Sequence, residues 1–171
     1  MKLLLLLLLP AFGFSQIKLE KITLPGGKVE IMSPTNLANM SDEMWAIKYA
    51  KKNRPTLVLT DEAGEVNLIA DLKAQPITQG EIAKYKDFQI GLMKKERPDL
   101  RIMEDGIKTV HGKKIGYFKF LAQASDQKIF NYFFFTELGG KLLFFTFNCL
   151  EKQQKDWEKT ADEIVASLNI K

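Results

Sequence analysis

The 171-residue chain contains one cysteine, Cys149, and one histidine, His111. A lone thiol cannot close a disulfide within the chain, so stability has to come from packing. A lone imidazole cannot build the usual metal site, and a histidine-based triad needs an activated nucleophile beside it. Charge of one sign is scarce as well: 25 basic residues stand against 21 acidic ones, spread along the chain rather than gathered in a tail. That balance aids solubility and selects no partner. Phosphate-cradling loops are missing, because "LPGG" and "LGGK" lack both the spacing and the following helix that such loops need. The apolar run Leu3 to Leu9 is cut by Pro10, far short of the roughly 20 residues of a membrane-spanning helix.

That run belongs to "MKLLLLLLLPAFGFSQ", with one positive charge at Lys2 ahead of it and small residues at Gly13 and Ser15 behind it. The layout is that of a secretory signal peptide over residues 1–15, cleaved after Ser15. An exported protein, periplasmic or secreted, is therefore expected. No cysteine lies near the cleavage position, so a lipid-anchored amino terminus is not expected. Residues 16–171 remain as one domain, about 155 residues, enough to bury a core without staples. Loss of Lys2 lowers the net charge from +4 to +3.

In the mature part, "KVEIM" (Lys28 to Met32) alternates polar and apolar residues after Gly26 and Gly27 and reads as a strand. A helix begins near Ser41, whose hydroxyl can cap it, with Asp42 and Glu43 at the positive end of its dipole, and stops before Pro55. Strands Thr56 to Thr60 and Glu65 to Leu72 flank the turn "DEAG". From Thr78 to about Glu96, Ile82, Tyr85, Phe88, Leu92 and Met93 recur at helical steps and predict one apolar stripe. Four strands follow, Arg101 to Val110, Lys114 to Ala124, Lys128 to Glu137 and Lys141 to Cys149, and a helix from Lys152 to Leu168 closes the chain. On that last helix Trp157, Ala161, Ile164, Val165 and Leu168 share one face.

Seven aromatic rings fall between Asn131 and Cys149. In the strand Lys128 to Glu137 one parity carries Ile129, Phe133 and Phe135 while the other carries Phe130, Tyr132 and Phe134; in the next, Leu142 and Phe144 oppose Leu143, Phe145 and Phe147. Strands apolar on both faces need cover on both faces, and two amphipathic helices are available to supply it. The expected fold is a three-layer α/β/α sandwich with a central, mostly antiparallel sheet of about six to seven strands. A membrane hairpin fits poorly, since Asn131, Glu137 and Lys141 interrupt segments already too short to span.

The stretches "VHGKKIGYFKF", "IFNYFFFTELGGKLLFFTFNC" and "WEKTADEIVASLNI", with the helix at Thr78 to Glu96, resemble the PsbP-like α/β/α sandwich family over about Thr56 to Ile170. This is the fold of the photosystem subunit PsbP, of a Ran-binding nuclear import factor and of many small exported bacterial proteins. The resemblance implies a binding or assembly module rather than an enzyme, and brings no catalytic residue with it. The segment "MSDEMWAIKYAKKNRP" departs from PsbP itself, and the acidic surface through which the nuclear factor meets Ran is not recognisable.

Candidate chemistry is thin. His111 sits in a hairpin turn beside Gly112, and Cys149 ends an apolar strand, where a thiol behaves as a small hydrophobe. The acid pairs Asp61 with Glu62 and Glu104 with Asp105 lie by glycines and read as solvated turn carboxylates. The basic groups Lys51, Lys52, Arg54 and Lys94, Lys95, Arg97 fall at helix ends, where cations offset the dipole; nucleic-acid binding is not expected. No cofactor, metal site or catalytic residue is assigned. The expected role is an exported, non-enzymatic binding or assembly module of the cell envelope, its partner an envelope protein or a small apolar ligand. Tyr85, Phe88 and Tyr117 are the candidate ligand-binding wall, in a cleft between the long helix and the sheet. The alternative is an envelope hydrolase using His111 or the turn carboxylates.

Overall fold

A computed structural model describes residues 17–49, 53–124 and 126–171. The expected leader and the pair Lys51 and Lys52 lie outside the described residues. Three strands open the described part of the chain: β1 (Leu19–Thr23), β2 (Val29–Pro34) and the two-residue β3 (Ala38–Asn39). Helix α1 (Asp42–Tyr49) starts where the sequence predicts, with Ser41 Oγ accepting from the Met44 backbone amide at 3.1 Å. Strands β4 (Leu57–Thr60) and β5 (Asn67–Pro76) form the expected hairpin, its turn tied by Asp61 Oδ1, which accepts from the amides of Glu65 at 2.7 Å and Val66 at 3.0 Å.

Helix α2 (Ile82–Glu96) leads into four consecutive strands, β6 (Arg101–Val110), β7 (Lys113–Gln123), β8 (Lys128–Leu138) and β9 (Lys141–Leu150). The β8–β9 turn is Gly139-Gly140, both at positive φ (59° and 78°), the conformation whose twist matches that of a two-residue hairpin. A short 3-10 turn, Glu151–Gln153, precedes α3 (Gln154–Ala166), and β10 (Asn169–Ile170) ends the chain.

The central sheet has seven strands in the order β3-β4-β5-β9-β8-β7-β6, every pairing antiparallel. A second sheet, β1-β2-β10, was not expected. It joins the beginning of the described chain to its end, with Glu30 opposite Asn169, so local pattern shows only one of its strands.

Parity divides the aromatic residues as the sequence requires. On one face Phe130, Tyr132, Phe134, Phe145 and Phe147 pack with Trp157, Ala161, Ile164 and Val165 of α3 and with Val29 and Ile31 of β2. Phe134 and Phe145 stack across β8 and β9 with centroids 4.7 Å apart. On the other face Phe118, Phe120, Phe135 and Leu142 pack with Ile82 of α2. Each fully buried Phe is worth roughly 1.5–3 kcal/mol, which makes these two layers the main stabilising term. The result is a three-layer α/β/α sandwich.

The two faces are not covered equally. Helix α2 packs mainly over β6, β7 and β8, and Phe133 and Phe144 remain half-buried. The predicted stripe on α2 is also rotated. Ile82 and Lys86 are buried and Tyr85, Ile90 and Met93 partly so, whereas Phe88 is 61% exposed and Leu92 38% exposed. The reason lies beneath the helix: Asp105 of the edge strand β6 binds Lys86, and turning Lys86 down to meet it, with its stem packed on the sheet, turns Phe88 out.

Candidate binding groove

Phe88 opens onto a groove between α2 and the end of β5. Its walls are Gln75, Pro76 and Ile77 from the β5 side and Glu81, Lys84, Tyr85 and Phe88 from the helix, enclosing about 210 Å³. The first turn before α2 is held by Glu81, whose Oε2 accepts from the Thr78 amide at 2.9 Å and the Thr78 hydroxyl at 2.8 Å. Ile77 is anchored by its amide to the Gly140 carbonyl at 3.1 Å. Tyr85 stands edge-on to Phe135 with centroids 4.9 Å apart, Phe135 stacks on Phe144 at 5.6 Å, and Phe144 meets Phe133 at 5.2 Å. An aromatic path thus runs from the groove to the half-covered centre of the sheet.

Of the three residues expected to form a ligand wall, the structure brings Tyr85 and Phe88 together and places Tyr117 elsewhere. Tyr117 lies in β7 at the parity opposite Phe118, so its ring is on the α3 face with Tyr132, 5.8 Å away. One residue of register decides this, because neighbouring side chains on a strand point to opposite faces.

Tyr117 instead joins a network that the sequence reading missed. Lys119 is 3% exposed and its ammonium lies 3.0 Å from Glu104, 3.1 Å from Glu158 and 3.0 Å from Asp162, three acceptors for three N–H donors. Tyr117 Oη donates to Glu104 at 2.8 Å, Tyr132 Oη donates to Asp162 at 3.0 Å, and Lys108 donates to Asp162 at 3.0 Å while lying 4.5 Å from the centre of the Tyr117 ring. Burial alone would depress the Lys119 pKa, but its hydrogen bonds to the three carboxylates outweigh that and hold it above the ordinary lysine value. The Lys119 hydrogen bond is the chief cause of a lowered Glu104, and burial, with Glu104 second, pushes Tyr117 up to about 12. These shifts carry the groups away from neutral pH, the reverse of what proton-transfer catalysis requires. The network ties α3 to the sheet.

Glu104 and Asp105 are consequently not turn carboxylates. They are successive residues inside β6, one facing Lys119 and the other Lys86 on the opposite side of the sheet. Asp61 does lie in a turn and closes it. His111, at φ 45° in the β6–β7 turn, sets Nδ1 3.0 Å from the carbonyl of Leu168, just past the end of α3. Cys149 is fully buried, and burial pushes its thiol up to about 12. Lys94 and Lys95 occupy the last turn of α2, while Arg97 pairs with Asp99 and Arg54 with Asp42. Among the described residues no group of His, Cys, Asp and Glu side chains is arranged to hold a metal, and no helix is long and apolar enough to cross a membrane.

No protein-family model matches the chain, and no curated protein matches it in sequence. Solved structures do. The cyanobacterial PsbP of Synechocystis sp. PCC 6803 superposes with a TM-score of 0.62 over 96% of this chain and 99% of its own, at 13% identity. The chain has the PsbP-like fold. The same PsbP-like sandwich is shared with LpqN of Mycobacterium tuberculosis, a protein involved in cell envelope biogenesis (TM-score 0.60, 12% identity, 90% of each chain). A Pseudomonas aeruginosa protein of unknown function also matches (TM-score 0.56, 12% identity, 90% of this chain and 97% of that one). At such identities the PsbP-like likeness is one of fold alone.

Proposed function

We propose that the protein is an exported, non-enzymatic binding or assembly module of the cell envelope, and that it grips an apolar part of its partner or ligand in the groove between α2 and β5. One observation carries this reading: Phe88 stands 61% exposed beside Pro76, Ile77 and Tyr85, a concave and largely apolar surface. The signal-like leader of the sequence and the fold shared with LpqN support the envelope location. The network around Lys119, which lowers the carboxyl pKa values of Glu104 and Asp162 and raises that of the lysine, supports a binding rather than a proton-transferring role.

Affinity capture from envelope extract, with protein and lipid both identified, tests this reading against a Phe88→Asp variant. A partner or lipid retained by the wild type and lost by the variant is the expected result. Capture that is indifferent to Phe88, or reproducibly empty, overturns the groove as the binding site.

A further inference from the structure

One face of α2 stays on the solvent side of the groove, and its residues are spaced for a helical partner. Glu81, Lys84, Phe88, Leu92 and Lys95 follow one another at steps of three and four, so they form a single stripe along the helix, and all five are exposed. The stripe is charged at both ends and apolar in its middle, where Gly91 stands beside Leu92 and an added Cβ would meet nothing within 4 Å. A glycine inside a helix is unfavourable for the helix itself, and the bare backbone it leaves allows a second helix to come close. The groove beside Phe88 encloses about 210 Å³, less than the roughly 300–1,000 Å³ that takes in a whole drug-sized molecule, and it suits a single side chain.

We propose that the groove receives a second copy of this chain, two α2 helices packing antiparallel about a two-fold axis at Phe88. This names the partner of the groove described above and rests on the groove being a docking surface. About such an axis Phe88 meets Phe88, each ring entering the other copy's groove beside Pro76 and Ile77, while Lys84 lies along Leu92 and Glu81 faces Lys95 at both ends. Charge selects this arrangement. Parallel helices would set Glu81 on Glu81, Lys84 on Lys84 and Lys95 on Lys95; an antiparallel pair slid by one turn would either oppose Lys84 to Lys95 or leave Glu81 against Leu92. Glu81 Oε2 is held by Thr78, and the charge of its own Lys84 reaches the carboxylate. In the pair that carboxylate stands between two ammonium groups, Lys84 of its own helix and Lys95 of the other. A small apolar ligand would use the middle of the stripe and neither of its ends.

Sedimentation equilibrium of the exported chain at low salt tests this. One helix-to-helix contact is smaller than the roughly 1,200–2,000 Å² of a standard interface, so the expected dimer is weak, with a dissociation constant of about 10–300 µM. Phe88→Asp should weaken it by at least about tenfold, because it puts two carboxylates on the axis. Lys95→Glu and Glu81→Lys should each weaken it by about tenfold, since each turns two attractions into two repulsions. An equimolar mixture of those two variants should dimerise within about threefold of the wild type, because both opposite-charge pairs return in the mixed dimer, which a variant that had merely lost its fold would not achieve. A chain that stays monomeric up to about 1 mM, or a mixture as monomeric as its two components, overturns the proposal. Monomer together with Phe88-dependent capture of a lipid or another protein overturns the second copy and leaves the groove standing; monomer together with capture indifferent to Phe88 ends both.

Discussion

Lys119 sits where a chain alternating this strictly should place a hydrophobe. In "YFKFL" it shares its parity with Tyr117 and Leu121, both core residues, so a buried cation on the α3 face was there to be read from the alternation alone. Its partners were not, because Glu104, Glu158 and Asp162 come from another strand and a helix. Lys119→Ala is expected to cost about 2–4 kcal/mol in urea denaturation at neutral pH, since it removes both the stem and the charge that neutralises three partly buried acids. Lys119→Met, which keeps the stem, should cost about half as much. The pH dependence follows from the lowered carboxylates. Glu104 and Asp162 titrate in the fold below their ordinary values of 4.5 and 3.8; for Asp162 burial opposes this, but the Lys108 and Lys119 hydrogen bonds prevail. Their contribution is complete above those values and is lost as pH falls through the folded ones. Wild-type stability should therefore drop below about pH 4.5, and Lys119→Met should flatten that drop. An equal slope in both proteins would show that Lys119 does not govern these acids.

At the scale of elements, α2 shows how far periodicity reaches. Its steps of three and four mark a helix correctly, and Ile82, Tyr85 and Met93 of the expected stripe do face the sheet, Ile82 fully and the other two in part. Phe88 and Leu92 do not; Lys86 takes a buried place instead, with Asp105 below the helix to receive it. The exposed groove is the direct consequence. Ile82→Ala should destabilise the protein by about 2–4 kcal/mol, as for any fully buried aliphatic residue, whereas Phe88→Ala should stay within about 0.5 kcal/mol in the same thermal or chemical unfolding experiment. A large loss from Phe88→Ala would mean that the ring is packed and the groove does not exist. Helix α3 raises no such ambiguity, since Trp157, Ala161, Ile164 and Val165 form its only apolar face and all are buried.

For the whole molecule, β9 is the middle strand of seven and Cys149 lies on it, fully buried beneath α3 and β2. A thiol so placed reacts only when the sheet opens, so labelling by an aromatic disulfide under native conditions should be at least about a hundredfold slower than in denaturant and should track global unfolding. Fast native labelling would show that the α3 layer lifts independently. The amino-acid order by itself determined the layered architecture: rings on both parities of β8 and β9 can escape water only if something packs on each face, and that demand is local to the strands. What the tertiary structure alone decided is which side of α2 faces inward, how Phe88 comes to stand over an open groove, and how β1, β2 and β10 close a second sheet. Each depends on partners brought together from distant parts of the chain, and no window of sequence contains both members of such a pair.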